Sequence, residues 1–309
     1  MRYVEVGGLR LSVIGLGTWQ FGSREWGYGA TYASDTAPAI VRRAIELGVT
    51  LIDTAEMYGF GRSERIVGEA IRGRRDGLVI ATKLVPALPL PSVVGWQVRG
   101  SLRRLGVEAI DLYQVHFPNP LVSPRSTMAP LRTVLEQGLV RHVGVSNHSL
   151  GRWRAAERGL GHPVLTNQVR FSLAAPLPHW ELVPYAREEG RVVIAYSPLG
   201  QGLLSGGHNP NSPAPADIRG RSRLFRPRSL RLAEPLLAAI REAAAAHAVT
   251  PGQVALAWLI GHGNVVAIPG ARTVAQLEEN VAAAELELSG TEMDRLTGEA
   301  ARFELVVRR

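Results

Sequence analysis

Four ionisable side chains, Asp53, Tyr58, Lys83 and His116, are spaced in a way that could do chemistry together. Lys83 is the only lysine; arginine supplies the other 34 of the 35 basic residues. It closes the apolar run Leu78–Lys83, as Asp53 closes Thr50–Asp53 and His116 closes Ile110–His116, while Tyr58 follows Asp53 in "DTAEMYGFGRSE". Singly, each of three has an ordinary role: Asp53 as a helix cap, Tyr58 as a loop aromatic, His116 as a satisfied polar group. Lys83 is harder to dismiss, because a buried ammonium needs a partner and Asp53 is the nearest candidate. A phenol with a pKa of about 10 is a poor proton donor near neutrality unless cations lower it. Lys83, kept protonated by Asp53, would do so. Tyr58 could then protonate a carbonyl oxygen that also accepts from His116, the chemistry of hydride transfer to an aldehyde or ketone. A lone lysine could instead form a Schiff base, as in aldolases, but that needs a neutral amine and Asp53 works against it.

Positioning these groups falls to short β-branched runs that alternate with helical stretches along the whole chain. Candidate strands are Val13–Gly17, Thr50–Asp53, Leu78–Lys83, Ile110–His116, His142–Ser146, Val164–Val169, Val192–Tyr196 and Val265–Pro269. Eight strands separated by helices predict a (β/α)8 TIM barrel, α/β in class, with residues 1–309 as a single domain. In such a barrel chemistry sits at the C-terminal strand ends, which is where Asp53, Lys83 and His116 fall. Candidate helices are Ala37–Leu47, Ser63–Ile71, Val93–Leu105, Leu131–Gln137, Leu150–Arg158, Glu181–Glu188 and Leu232–Ala246. Gly48, Gly106, Gly138 and Gly190 read as C-terminal caps, and Ser63 and Ser92 as N-terminal caps. The alternating runs around Gly7-Gly8 predict an N-terminal β-hairpin that closes the bottom of the barrel. The last two strand ends, near 196 and 268, lie 72 residues apart, against 22 to 36 elsewhere. A long loop after strand seven, Gly206–Pro227, accounts for this, and its Arg219, Arg221 and Arg223 suit a lid over something anionic.

Composition narrows the function. Hydrophobic residues make up 46% and charged residues 20%, enough for a core without wholesale disorder. The absence of cysteine excludes disulfides and thiolate chemistry. No apolar run is long enough for a membrane span, and the N-terminus lacks a signal-peptide core, so a cytoplasmic location is expected. The net charge of +8 is scattered among acids, which argues against nucleic acid and for modest attraction of anionic ligands. The histidines lack metal-ligand spacing, so no metal is expected, and neither a Rossmann nor a P-loop glycine pattern is present.

These motifs, from "GLGTWQFG" through "IDTAEMYG", "ATK", "DLYQVH", "VGVSN", "NQVRFS" and "AYSPLGQGLLSG" to "IPGARTVAQLEEN", resemble the aldo-keto reductases over nearly the whole length. The resemblance implies a catalytic tetrad of Asp53, Tyr58, Lys83 and His116 and a dinucleotide, NADP(H) in preference to NAD. Ser146, Asn147 and Gln168 would bind the nicotinamide carboxamide and Tyr196 would stack on its ring, with Gly17, Thr18, Trp19 and Asp53 beside it. Ser197, Leu199, Gln201, Gly202 and Leu204 would line the pyrophosphate, and the long loop with Arg219 would fold over it. The helix N-terminus after strand eight, preceded by Ile268 and Gly270, offers free amides to a phosphate. By resemblance Arg272 would pair with the adenosine 2′-phosphate there, with Gln276, Glu279 and Asn280 around the adenosine. Trp19, Trp26, Tyr28, Met57, Phe117 and Phe225 are candidates to wall the pocket for a small apolar or sugar-like carbonyl substrate. The potassium-channel beta subunits, which resemble this family, supply a rival reading: a cofactor-binding regulatory subunit with little turnover.

Overall fold

A computed structural model of the protein describes residues 1–23, 28, 35–209, 211–213, 215 and 217–307. Strands β1 (Tyr3–Val6) and β2 (Leu9–Ser12) form an antiparallel hairpin, turning through Gly7 and Gly8, both in the left-handed region that glycine enters without strain. Eight parallel strands follow: β3 (Leu16–Gly17), β4 (Leu51–Asp53), β5 (Val79–Leu84), β6 (Ile110–Val115), β7 (Val140–Ser146), β8 (Val164–Arg170), β9 (Val192–Tyr196) and β10 (Val265–Ala267). Each pairs with its neighbour in chain order. The seam between first and last is closed by Gly15 N donating to Ala267 O (2.8 Å), Ala267 N to Val13 O (2.9 Å) and Gly17 N to Pro269 O (3.1 Å). Gly17 has no substitute there, since a Cβ would sit 2.7 Å from the Ile268 carbonyl oxygen. The result is the expected (β/α)8 barrel.

Helices α1 (Thr36–Glu46), α2 (Arg62–Ala70), α3 (Pro91–Leu105), α4 (Pro124–Glu136), α5 (Leu150–Leu160), α6 (Pro178–Glu188), α7 (Pro227–Ala246), α8 (Pro251–Ile260), α9 (Val274–Ala282) and α10 (Gly290–Val307) are distributed along the chain between and after these strands. Two cap expectations are corrected. Gly61, at a φ of 77°, caps α2, and Ser63 lies inside that helix with its buried hydroxyl bonded to Thr18 and Thr54. Helix α3 starts after Leu90 because Pro91 has φ fixed for a first helical turn, which leaves Ser92 within the helix. The long connection between β9 and α7 contains short 3-10 turns at Gly200–Ser205, Ile218–Arg221 and Arg223–Phe225. No single helix among the described residues is long and apolar enough to cross a membrane.

Inside the barrel, side-chain alternation sorts the residues into layers. Leu51, Val79, Ala81, Leu112, Val192, Ile194 and Val266 form an apolar layer, and Val6, Leu9 and Leu11 of the hairpin join it from below. Two residues further along the same strand faces come Asp53, Lys83 and Gln114, so an abrupt polar layer rests on an apolar floor. A larger core between the sheet and the helices, including Trp153, Trp258 and Phe303, holds the frame around it.

Candidate active site

The polar layer is organised around Lys83, which is wholly buried, as is all but 2% of Asp53. The ammonium has three protons and three acceptors: Asp53 Oδ1 at 2.5 Å, the Thr54 carbonyl at 2.9 Å and Tyr58 Oη at 3.2 Å. Asp53 is held on both oxygens in turn, since its Oδ2 accepts from Gln168 Nε2 (2.7 Å) and Gln114 Nε2 (3.2 Å). Burial is the largest influence on Lys83 and pushes its pKa down, but Asp53 and Tyr58 outweigh it and the net shift is upward. That removes the neutral amine a Schiff base requires. An arginine could not make the same contacts, because its planar fork cannot direct three donors from one atom into this space.

Tyr58 reaches the ammonium from the loop after β4. Its pKa is raised, first by burial, with Lys83 pulling it back and Asp53 pushing it up. The expectation of a net lowering is therefore not met: the ammonium moderates the effect of desolvation without reversing it. The phenol keeps its proton at neutral pH and accepts at its oxygen from Lys83, so its own proton is left to be given away. His116 meets Tyr58 edge to face with ring centroids 5.6 Å apart. Burial, and secondly Lys83, lower its pKa to about 3, which makes it a neutral imidazole. Its Nδ1 is buried without a partner. An orphaned acceptor is tolerated better than an orphaned N–H, which favours the tautomer protonated at Nε2. The arrangement presents a phenol proton and an imidazole donor to one small region.

Both groups line a cleft of about 1450 Å³ at the C-terminal face. Every residue expected at the cofactor lines it too, with one exception: Leu204 is fully buried in the core, because the 3-10 turn after β9 directs its side chain inward. Along the cleft Ser146 Oγ donates to the Gln168 carbonyl (2.8 Å), Asn147 Nδ2 to the His116 carbonyl (3.2 Å) and Tyr196 Oη to Asn147 Oδ1 (2.9 Å). Asn147, Ser197 and Gln201 all hold positive φ, so this wall carries local backbone strain. At the far end Asp217 grips Arg219 through both oxygens (2.8 and 2.9 Å) and lies 3.9 Å from Arg272, holding two cations toward the cleft. The other two loop arginines are not there: Arg221 is outside the cleft, and Arg223 lines a separate pocket with Arg170.

Of the expected substrate walls, Trp19 and Met57 line the cleft. Trp26 lies outside the described residues. Tyr28 packs half-buried against the core, and Phe117 stands beside the His116 ring (5.7 Å) without lining the cleft. Phe225 is only 3% exposed, turned in against His208 by the Arg223–Phe225 turn. Sequence reasoning missed Gln114 and Glu56. Gln114 could have been found by alternation, since it shares the inward face of β6 with Leu112. Glu56 Oε1 accepts from Val85 N (2.7 Å) and Gln97 Nε2 (2.9 Å), which ties the Tyr58 loop to the end of the Lys83 strand. Burial raises its pKa.

The sequence model of the Aldo/keto reductase family matches residues 13–300. An oxidoreductase of Mycobacterium tuberculosis is 52% identical over 304 residues, 98% of this chain and 94% of its own length. The methylglyoxal reductase of Escherichia coli is 33% identical over 301 residues, covering 94% and 91%. Among solved structures, an aldo-keto reductase from Klebsiella pneumoniae in complex with NADPH is 31% identical with a TM-score of 0.77, covering 96% of this chain and 93% of that one.

Proposed function

This chain belongs to the aldo/keto reductase family, and on that footing we propose that it reduces an aldehyde or ketone to the alcohol with NADP(H), Tyr58 acting as general acid. The observation that carries the reading is the saturation of Lys83: all three of its donors are engaged, one of them by the Tyr58 oxygen. An ammonium cannot accept, so the phenol proton is directed elsewhere, toward the cleft.

The residues present suit a dinucleotide phosphate. Gly202, at a φ of 98°, lets Arg219 approach to within 3.3 Å of where a Cβ would stand, and Arg219 and Arg272 supply paired cations beside the start of α9. Arg272 and Gln276 would hold the 2′-phosphate end; Ser146, Asn147 and Gln168 would hold the carboxamide, against Tyr196. When bound, NADPH supplies the hydride. Tyr58 gives its proton to the carbonyl oxygen as the carbonyl carbon is reduced, and His116 donates a hydrogen bond to the same oxygen as charge develops there. Lys83, already donating to the Tyr58 oxygen, stabilises the phenolate left behind, and Asp53 holds the ammonium in place. The complex of the Klebsiella relative with NADPH supports the choice of cofactor.

The test is oxidation of NADPH, and of NADH in parallel, with an activated aromatic aldehyde by wild type and Tyr58→Phe. NADPH should be preferred, and turnover should fall by about 10²- to 10⁴-fold in the variant, the usual worth of a general acid. Wild-type turnover in Tyr58→Phe would overturn the assignment.

A further inference from the structure

Six of the most exposed large apolar side chains crowd one sector of the barrel mouth: Met57 and Phe60 after β4, Leu88 and Leu90 after β5, Trp96 in the second turn of α3, and Leu121 after β6. The sector above β7 to β10 carries the polar residues already described with the dinucleotide, and its exposed large apolar side chains are Leu177 and Trp180 after β8. Phe60 is the most telling of the six. It is 96% exposed and holds a φ of 55° between Gly59 and Gly61, which are also left-handed. A bulky residue is an outlier in that region, and its exposed ring gains nothing from burial to offset the strain. At the rim of the cleft, such a side chain is placed to meet a molecule that enters it.

The sector is also rigid. Asn119 Nδ2 donates to the Pro86 carbonyl (2.6 Å), and its Oδ1 accepts from Leu121 N (2.8 Å) and Val122 N (3.1 Å), locking the loop after β6 to the loop after β5. Glu56 fastens the loop after β4 to Val85 at the start of the same group. Three consecutive loops thus form one preset apolar platform. It is continuous with the reaction site, because Met57, Phe60 and Trp96 line the same cleft as Tyr58 and His116.

We propose that this platform receives the apolar tail of the substrate, a carbonyl compound with an aliphatic chain or similarly extended apolar body. Its carbonyl lies at Tyr58 and its tail runs outward over Phe60 and Trp96 toward Leu88 and Leu121. The inference rests on the reductase reading and names the substrate class for it; a small hydrophilic carbonyl would leave the whole sector wet.

The experiment is a series of straight-chain aldehydes, butanal to decanal, with NADPH and the full chain. In wild type kcat/KM should climb about twofold per methylene, roughly half the effect of complete burial, so that decanal exceeds butanal by about 60-fold. In Leu88→Ser/Leu121→Ser, and separately in Phe60→Gly, the decanal-to-butanal ratio should drop at least fivefold. Phe60→Gly should keep or raise the melting temperature, because glycine relieves the left-handed strain, so a lowered ratio there is not a folding defect. Butanal turned over with a flat series would overturn the tail while leaving the reductase standing. A climb that persists in both variants would overturn the platform as its cause. Failure on every aldehyde, butanal included, would overturn both.

Discussion

Replacing Lys83 by methionine separates what the ammonium does for the fold from what it does for chemistry. In Lys83→Met, Asp53 keeps two amide donors, Gln114 at 3.2 Å and Gln168 at 2.7 Å, but loses its counter-ion at 2.5 Å in a site closed to water. Removing one partner of a buried pair costs about 3–5 kcal/mol, because the remaining charge is uncompensated. In Lys83→Met/Asp53→Asn no charge is left, and neutral replacements of buried pairs are often close to neutral in stability, so most of the loss, about 2–4 kcal/mol, should return. Activity should not return. Both variants lack the donor to the Tyr58 oxygen, and turnover should sit about 10²- to 10⁴-fold below wild type. Urea unfolding and NADPH oxidation on the same preparations read the two quantities. A single variant that loses less than about 1 kcal/mol, or a double variant within tenfold of wild-type turnover, would refute the reasoning.

Two further outcomes follow from the same geometry. Reduction should be level from about pH 5 to about pH 9: His116, with its pKa lowered to about 3, is already neutral there, and Tyr58, raised by burial, is still protonated. Activity should fall only at higher pH, as Tyr58 loses its proton; a limb near pH 6.5 that disappears in His116→Phe would contradict this. For Glu56, the glutamine variant keeps an acceptor for Val85 N and Gln97, whereas alanine strands both donors at a cost of about 1–3 kcal/mol. Glu56→Ala should therefore lower kcat more than it raises KM, and Glu56→Gln should restore it; equal effects of the two would show that the tie is dispensable.

The barrel was legible because its strands differ so sharply from what separates them. Val192–Tyr196 matches β9 at both ends, and the other seven candidates overlap their strands. What escaped has physical reasons. Helix α8 is buried on nearly all sides, from Val254 to Ile260, so it shows no amphipathic period and reads only as a short apolar run. Helix α4 extends upstream to Pro124 through Ser126, Thr127 and Pro130, residues that read as loop until Ser123 caps them. At the site, Asp53, Lys83 and His116 were visible as ionisable residues closing apolar strands. Gln114 and Glu56 were not, because one is uncharged and the other acts through a backbone amide that no side-chain pattern announces. Phe225 misled because a loop of this composition gives no sign of which side chains its turns fold inward.

The hairpin beneath the barrel has a consequence for the timing of the reaction. With Val6, Leu9 and Leu11 in the apolar layer beneath, the chamber of Asp53 and Lys83 is closed from below and, among the described residues, opens to the cleft at the mouth. On the reading of Tyr58 as general acid, a proton it gives up is not replaced from below through the apolar layer but from the cleft at the mouth. Recharging the acid would then share its route with the substrate, and exchange of that proton with solvent should slow while the cleft is occupied.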